Sequence, residues 1–347
     1  MSKNITYLLG AGASIGALPI VDKIPNALND FAEEFNPSIL TSSSPNHSIV
    51  FRDSIINRYL SKHQANENIS QNVKKFYNDI IWLKTGAENH TSIDTFAKKL
   101  YLQKDNKNLK KLKIILSCFF LYLQTKKFDK RYDSFFASIL DDLSKLPENL
   151  KILSWNYDSQ LEIAFNRFVN TTINNSKHIL NLFSKGSNII KNETEFSVFK
   201  INGTTGFIDK NKELFEILNE FDSIESSLVE VFLDINKRSS KNDYNPNMSF
   251  AWENFNIDSY FNKSLKESIR ETEILIVIGY SFPFFNRKVD KLMLDAMPKL
   301  TKVYVQDPSN SENVIEKMKG LIQWYQNHRV QFESIKYKDQ FFIPIEF

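Results

Sequence analysis

Glycine and cysteine are both scarce in this chain, and each shortage narrows the range of folds. The 347 residues include nine glycines and one cysteine, Cys118. Few residues are therefore free to adopt positive φ, which disfavours an all-β fold rich in tight turns. A single cysteine excludes an internal disulfide and a zinc site made of cysteines, and it fits a reducing compartment. We expect a cytoplasmic protein with long helices and no zinc.

A strong net charge and a long apolar run are also lacking. The 44 basic and 41 acidic side chains give a formal net charge of +3, which is too weak a global field to attract nucleic acid or an anionic membrane. The apolar run from Ile114 to Leu123 is much shorter than the roughly 18 to 20 residues of a membrane span. We expect no membrane partner and no direct nucleic-acid partner. One basic cluster is interpreted as a solvated helix face: Lys110, Lys111, Lys113, Lys126, Lys127, Lys130 and Arg131.

Strand and helix patterns alternate along the chain, apart from a long block at about 49–146 that is helical throughout. Strands are predicted at 4–9, 150–155, 196–201, 273–279 and 302–306, and helices at 159–169, 207–237, 286–297 and 310–325. A loop is predicted at 238–248. This alternation favours an α/β fold with a Rossmann-like parallel sheet, helices on both faces and a large helical insertion. The predicted sheet domain comprises residues 1–25 and 148–347, and the insertion comprises 26–147.

Most of the glycines lie at the carboxyl ends of three predicted strands. Ligands bind at this edge of an open parallel sheet. After the first strand we predict a tight turn and a helix beginning near Gly12, whose N-terminal amides would face a pyrophosphate. A turn required only for packing is the alternative explanation. The glycines concerned are Gly10, Gly12 and Gly16 after the first strand, Gly203 and Gly206 after 196–201, and Gly279.

Polar side chains follow the same strand ends. Asn156 supplies a hydrogen-bond donor and an acceptor after the second strand, and Asp158 faces the same side if the chain stays extended. Such a pair can hold a sugar ring and an amide, although Asp158 can also form a turn that caps the next helix. Ser281 follows one later strand and suits a ribose or phosphate oxygen, and Asp307 follows the next strand and can accept hydrogen bonds from ribose hydroxyls. Ordinary turns are the alternative for both.

Together these stretches resemble the motifs of the sirtuin (silent information regulator) superfamily. The family has a Gly-Ala-Gly-x-Ser turn, a Thr-x-Asn-x-Asp stretch, a His-Gly-Ser turn and a Gly-Thr/Tyr-Ser stretch. The resemblance covers about residues 1–25, 148–206 and 270–310 and implies NAD as the bound substrate. The corresponding stretches stand here in the same order: Gly10-Ala11-Gly12-Ala13-Ser14, Ser154-Trp155-Asn156-Tyr157-Asp158, Asn202-Gly203-Thr204 and Gly279-Tyr280-Ser281-Phe282.

The chain looks closest to the bacterial sirtuin-like proteins of anti-phage defence, which cleave NAD, rather than to the protein deacylases. Deacylases carry a four-cysteine zinc module, which a chain with one cysteine cannot build. The family histidine is replaced by Asn202, and asparagine cannot accept a proton from a ribose hydroxyl. The resemblance therefore implies an NAD glycohydrolase that produces nicotinamide and ADP-ribose.

The resemblance also implies a role for each motif. Asn156 would orient the nicotinamide ribose and the attacking water, Asp158 would contact the carboxamide or the developing cation, and Asn202 would bind a ribose hydroxyl. The implied NAD-binding residues are Gly10, Ala11, Gly12, Ala13, Ser14, Gly203, Thr204, Gly279, Tyr280, Ser281 and Asp307.

The missing family histidine leaves three alternatives, of which the first is an enzyme with slow turnover. A base can come from elsewhere, with His90 and His178 as candidates. The site can bind NAD or ADP-ribose as a sensor without any chemistry. A protein deacylase or ADP-ribosyltransferase ranks last.

An NAD hydrolase also has to be controlled, because it would otherwise deplete its own host. We expect a homo-oligomer that a defence partner protein or a phage component activates through residues 26–147. The alternative is that this insertion only completes the core and the wall of the active site.

Overall fold

The structure is a computed structural model that describes residues 3–37, 54–62, 67–143, 145–184, 195–209, 212–213, 229, 232–233, 245–253, 256–322 and 330–347. Its contacts divide the chain into two compact units. The sheet unit comprises residues 1–18, 127–204 and 248–347, and the helical unit comprises 19–126 and 205–247.

The secondary structure is as follows in chain order. The strands are β1 (Ile5–Leu9), β2 (Leu150–Ser154), β3 (Leu182–Ser184), β4 (Ser197–Lys200), β5 (Gly203–Asp209), β6 (Lys212–Glu213), β7 (Asn245–Met248), β8 (Ile274–Ile278), β9 (Lys302–Gln306) and β10 (Gln331–Ile335). The α-helices are α1 (Ile24–Glu33), α2 (Ile55–Lys62), α3 (Glu67–Glu88), α4 (Ile93–Leu102), α5 (Asn106–Lys126), α6 (Lys130–Ile139), α7 (Gln160–Val169), α8 (Ile173–Ile179), α9 (Tyr260–Ser268), α10 (Arg287–Asp295) and α11 (Ser311–Lys319).

The sheet unit is built on a seven-stranded sheet with the order β10-β9-β8-β1-β2-β4-β3. Its neighbouring strands all pair in parallel, and Ile5 of β1 is aligned with Leu150 of β2 and with Ile274 of β8. The carboxyl ends of these seven strands therefore lie on one edge. The predicted Rossmann-like α/β class is confirmed.

Helices cover both faces of this sheet, so its central strands are apolar on both sides. Leu8 of β1 packs on the face that carries α9, α10 and α11, with Leu265 and Leu292 among its neighbours in that core. Tyr7 of β1 packs on the opposite face, in the core formed with α6 and α7. Successive side chains of one strand thus enter two different cores, which explains the continuous Ile, Leu and Val runs.

The helical unit has an aromatic core of its own. Phe31 of α1 lies at its centre, and its ring centroid is 6.0 Å from that of Phe76, 5.7 Å from that of Phe119 and 5.0 Å from that of Tyr122. Edge-to-face and tilted ring pairs of this kind add to the stabilisation that burial itself gives. None of the helices in the described ranges is both long and apolar enough to cross a membrane.

Where the structure describes them, the predicted helix over 207–237 is wrong at 207–209 and 212–213 although 229 and 232–233 are helical, and the predicted loop over 238–248 is wrong at 245–248. Residues 203–209 form β5, which pairs with β6, and 245–248 form β7; the three make a second sheet of order β6-β5-β7. The Gly-Thr-Thr-Gly-Phe-Ile sequence of β5 is rich in β-branched and aromatic residues, which favour a strand. Most of 214–244 lies outside the described residues.

The two units also divide the chain differently from the predicted domains. Residues 127–147 lie in the sheet unit, since Tyr132 and Phe136 of α6 belong to the core under β1. Residues 205–247 lie in the helical unit, where Thr205 accepts a hydrogen bond of 3.2 Å from Gln124 of α5. Both assignments depend on long-range packing, which local periodicity does not report.

The contribution of α6 to the sheet unit can be measured with one substitution. Phe136 is fully buried, and its ring centroid is 5.1 Å from that of Phe165 of α7. We expect Phe136→Ala to lower the free energy of unfolding by about 3–5 kcal/mol, because it leaves a cavity in the core. Leu143→Ala, at a side chain that is 56% exposed, should change it by no more than about 0.5 kcal/mol. Equal effects in chemical denaturation would contradict this placement of α6.

Candidate functional site

The carboxyl edge of the sheet brings the predicted motifs together around the junction of β1 and β8. The chain leaves β1 towards β2 on one side and leaves β8 towards β9 on the other. A reversal of this kind is a topological switch point, where doubly wound sheets open a ligand-binding crevice. Asn156 and Asp158 follow β2, which is next to β1, and Asn202 follows β4, one strand further along.

Two glycine turns make direct backbone contact at this junction. The Gly10 amide donates to the carbonyl of Ile278 at 2.9 Å, and the Gly12 amide donates to that of Gly279 at 3.0 Å. A Cβ atom built on Gly12 would lie 2.7 Å from the Cα of Gly279, and one built on Gly279 would lie 2.4 Å from the Cα of Gly12. Gly279 also has a φ of +59°, which disfavours any side chain. Packing therefore accounts for these glycines.

The predicted helix start near Gly12 is wrong. Residues Ala11–Ser14 form a single 3-10 turn, and the first α-helix begins at Ile24. The Ala13 amide donates to Gly10, so the amides of Gly10, Gly12 and Ala13 are all used by protein carbonyls. A helix N-terminus is absent from this described turn, and the electrostatic argument for a pyrophosphate does not apply to it. The assignment of Gly10–Ser14 to NAD stays a prediction.

An ion pair holds this turn in place. Arg131 of α6 donates from Nε and Nη2 to the two carboxyl oxygens of Asp129, at 3.0 and 2.6 Å. The same Nη2 donates to the carbonyls of Gly12 and Ala13, and Asp129 accepts from the Gly16 amide at 2.8 Å. The two-point geometry makes such pairs strong and directional. Arg131 is therefore mostly buried, and its assignment to a solvated basic face is wrong.

Asn156 and Tyr132 both contact the hydroxyl of Ser14, and the carboxyl of Asp158 lies near it. Asn156 donates from Nδ2 to the Gly10 carbonyl at 2.9 Å and to Ser14 Oγ at 3.2 Å. Ser14 Oγ lies 2.9 Å from the hydroxyl of Tyr132, and the Ser14 hydroxyl helps to lower the pKa of the Asp158 carboxyl. Among the described residues, Asn156 Oδ1 has no protein partner, so this acceptor is available to a ligand. Three segments that are distant in sequence thus meet at one hydroxyl.

The environment of Asp158 disfavours its charged form. The residue is 5% exposed, and burial raises the pKa of its carboxyl above the ordinary value. The ammonium of Lys200 and a hydrogen bond from the Gln160 amide, 3.0 Å from Oδ1, oppose this shift in pKa. The bond to Gln160 is the helix-capping turn that is the alternative role of Asp158, and the carboxyl still lies near the Ser14 hydroxyl.

A buried ion pair lies next to Asp158, and it was not predicted from the sequence. Lys200 Nζ, at the end of β4, lies 3.3 Å from Glu162 Oε1 in the first turn of α7, and the two side chains are 2% and 0% exposed. The same ammonium donates to the main-chain carbonyl of Asp158 at 2.5 Å. The available signal in the sequence was a lysine within a predicted buried strand together with a glutamate just after the Asp158 motif. Charged side chains are almost never fully buried unless they are paired.

Asn202 and Trp155 carry buried polar atoms without partners. Asn202 donates weakly from Nδ2 to the carbonyl of Trp155 at 3.4 Å, while its Oδ1 has no hydrogen bond among the described residues. The indole N–H of Trp155 is likewise buried and unpaired within them. Buried polar atoms are normally satisfied, so such atoms mark a place for a ligand or water. The Trp155 ring stacks on Tyr280, with centroids 5.5 Å apart.

The other predicted NAD-binding residues lie in several different environments. The Tyr280 hydroxyl donates to the buried Asp290 at 2.8 Å. Asp307 Oδ1 accepts from the Ser309 and Asn310 amides at 3.0 and 2.9 Å, as an ordinary turn does. The side chain of Ser281 is exposed beyond β8. Residues Gly203 and Thr204 begin β5 instead of forming an isolated turn.

Neither histidine suggested as a substitute base is supported by its surroundings. The His90 ring nitrogen Nδ1 lies 2.7 Å from the Gly86 carbonyl, and the ring stacks on Phe96 in the helical unit. His178 is exposed near the end of α8, which leads into the amino end of β3. Its position is therefore at the opposite edge of the sheet from Asn156 and Asp158.

No protein-family model matches the chain, and a search of curated proteins also found no match. The fold and the edge cluster thus define a doubly wound α/β protein with a candidate site at its switch point. Within the described residues, no group of three or more histidine, cysteine, aspartate or glutamate side chains is arranged to hold a metal ion.

The backbone contact between the two turns can be tested with a matched pair of glycine substitutions. Gly279→Ala should lower the free energy of unfolding by about 2 kcal/mol or more, because it adds strain at positive φ to a clash with backbone atoms. Gly320→Ala, whose added Cβ meets its nearest atom at 3.5 Å, should leave stability within about 0.5 kcal/mol of the parent. Similar stability of both variants in denaturant titrations would rule out the contact.

Proposed function

We propose that this protein is an NAD glycohydrolase that converts NAD to nicotinamide and ADP-ribose. The observation that carries the proposal is the convergence of Asn156, Asp158 and Ser14 at the switch point, where Asn156 donates to the Ser14 hydroxyl and the Asp158 carboxyl lies near that hydroxyl. The Oδ1 of Asn202 and the indole N–H of Trp155 support it, since neither has a hydrogen bond among the described residues and both can therefore bind a ligand. The motif resemblance to NAD-cleaving sirtuin-like proteins supports the choice of substrate.

The residues suit the chemistry of this cleavage. A bound NAD supplies a nicotinamide that departs as a neutral molecule from an already cationic ring. In its ionised form, the Asp158 carboxylate stabilises positive charge that develops on the ribose. Its raised pKa also makes it a better acceptor for the proton of the attacking water than an ordinary aspartate. Asn156, held through Nδ2, presents Oδ1 as an acceptor that orients the ribose and the water.

A binding protein without catalysis is the second candidate. Asn202 stands where the resembled family has its histidine, and His90 and His178 have the other surroundings described above. If Asp158 does not act as the base, the site retains hydrogen-bonding groups for NAD or ADP-ribose but lacks a group to activate water. The two candidates differ in a single observable, which is the release of nicotinamide.

The proposal extends to the cellular setting. We propose a cytoplasmic effector of anti-phage defence that forms a homo-oligomer and is activated by a partner protein or phage component through residues 26–147. An NAD hydrolase needs such control because its substrate is essential to the host. Light scattering combined with nicotinamide release, with and without phage lysate components, tests this part. A fully active monomer that no component stimulates would overturn it and leave the chemistry untouched.

Substitution of the two motif residues tests the chemistry. We expect Asp158→Asn and Asn156→Ala each to lower nicotinamide release by at least about 100-fold, the usual scale for a lost acid–base or orienting group. Asp133→Asn, at an exposed aspartate of α6, is the matched control and should retain full activity. Binding of ADP-ribose and the melting temperature are measured in parallel. Normal turnover by both motif variants would refute the site, while binding without any turnover in the parent would favour the sensor.

A further inference from the structure

The buried cluster at Asp158 contains two carboxyl groups, those of Asp158 and Glu162, and one amine, that of Lys200. Asp158 is 5% exposed, Glu162 is fully buried, and Lys200 is the one cation that acts on Asp158 among the described residues. Both carboxyl oxygens of Glu162 lack a hydrogen bond within the described residues, so the ammonium 3.3 Å away is the group that compensates its charge. Lys200 therefore already serves as the counter-ion of Glu162.

The carboxyl of Asp158, in contrast, is held by neutral donors. The Gln160 amide donates to it and the Ser14 hydroxyl lies near it, while Lys200 donates to the main-chain carbonyl of the same residue and not to its carboxylate. Neutral donors stabilise a carboxylate only partly, and a buried charge without a counter-ion is costly. The second negative charge of the cluster thus lacks a counter-ion within the part of the chain that the structure describes.

The remaining charged or titratable groups near Asp158 do not supply this missing cation. Tyr132 of α6 stays neutral, because burial raises the pKa of its phenol well above the ordinary value and Asp158 adds to the shift. Arg131 is bound at two points by Asp129, so this pair carries no net charge. Counted over the described residues, the site is one positive charge short whenever Asp158 is ionised.

We propose that a proton on Asp158 fills this place in the free protein and that the cationic nicotinamide ring of oxidised NAD displaces it, so that binding releases a proton and the reduced dinucleotide, whose nicotinamide ring is neutral, binds less tightly. This inference rests on the proposed function and adds a substrate preference and a proton linkage to it. Affinity for the oxidised form then rises with pH as Asp158 loses its proton and levels off above the pKa of that group. Affinity for the reduced form stays flat or falls over the same range.

Glu162 sets the size of this effect. In Glu162→Gln the Lys200 ammonium has no other carboxylate to balance, so it stabilises ionised Asp158 and lowers the pKa of that group. The variant should release less proton on binding and discriminate less between oxidised and reduced ligands. Asp158→Asn removes the titrating group while keeping its shape, so it should abolish both effects.

Titration calorimetry with an unreactive carbocyclic analogue of NAD tests the inference directly. The oxidised analogue, its reduced form and ADP-ribose are titrated between pH 6 and 8, in buffers of different ionisation enthalpy that report proton release. We expect release of up to about one proton for the oxidised form and a preference over the reduced form of roughly tenfold or more, as a charge in a poorly solvated site implies. Glu267→Gln, at a side chain that is 62% exposed, is the matched control and should behave like the parent.

The possible outcomes separate the inference from the proposed function. Equal affinity for oxidised and reduced forms without proton release, while ADP-ribose still binds, would overturn the inference and leave an NAD-binding site. Proton release that persists in Asp158→Asn would also overturn it, since another group would then be titrating. Failure of all three ligands to bind the parent would overturn the proposed function, and the inference with it.

Discussion

The contact between the turn after β1 and the turn after β8 is the constraint on which the rest of the site depends. Gly12 and Gly279 allow two backbone segments to approach more closely than any side chain would permit. The Arg131–Asp129 pair fixes the turn after β1 in the position where it makes this contact. Because Ser14 ends the same turn, its hydroxyl is placed within reach of Asn156 and Asp158. A site made from three separated segments thus inherits its geometry from one backbone contact.

Electrostatics add a second level to this geometry. The Lys200–Glu162 pair is fully buried, which alone is no guarantee of stability, since desolvation offsets much of the attraction. Its ammonium also holds the main-chain carbonyl of Asp158, so the pair fixes the segment that carries the proposed catalytic carboxyl. The charge state of Asp158 then depends on a lysine and a glutamate that belong to β4 and α7. The candidate site at this edge therefore depends on core packing.

Sequence analysis succeeded where the local signal was strong. The continuous apolar run of β8 and the alternation of strands and helices predicted the parallel sheet, and the strand-end motifs predicted the edge where Asn156, Asp158 and Asn202 lie. It was wrong where a local pattern had two solutions. Gly10–Ser14 has the sequence of a helix start, yet the contact with Gly279 and the bond to Asp129 leave only a 3-10 turn.

By itself, the sequence determined the fold class, the order of the motifs and the lack of a cysteine zinc module, because these depend on composition and on periodicities within single segments. Only the tertiary structure decided which glycines touch, that Arg131 is buried, and that Lys200 and Glu162 flank Asp158. Those facts depend on pairs of residues that are brought together by crossover connections between strands. Burial then shifts the pKa of a group such as Asp158 by an amount that depends on its neighbours. No single segment of the sequence encodes those neighbours.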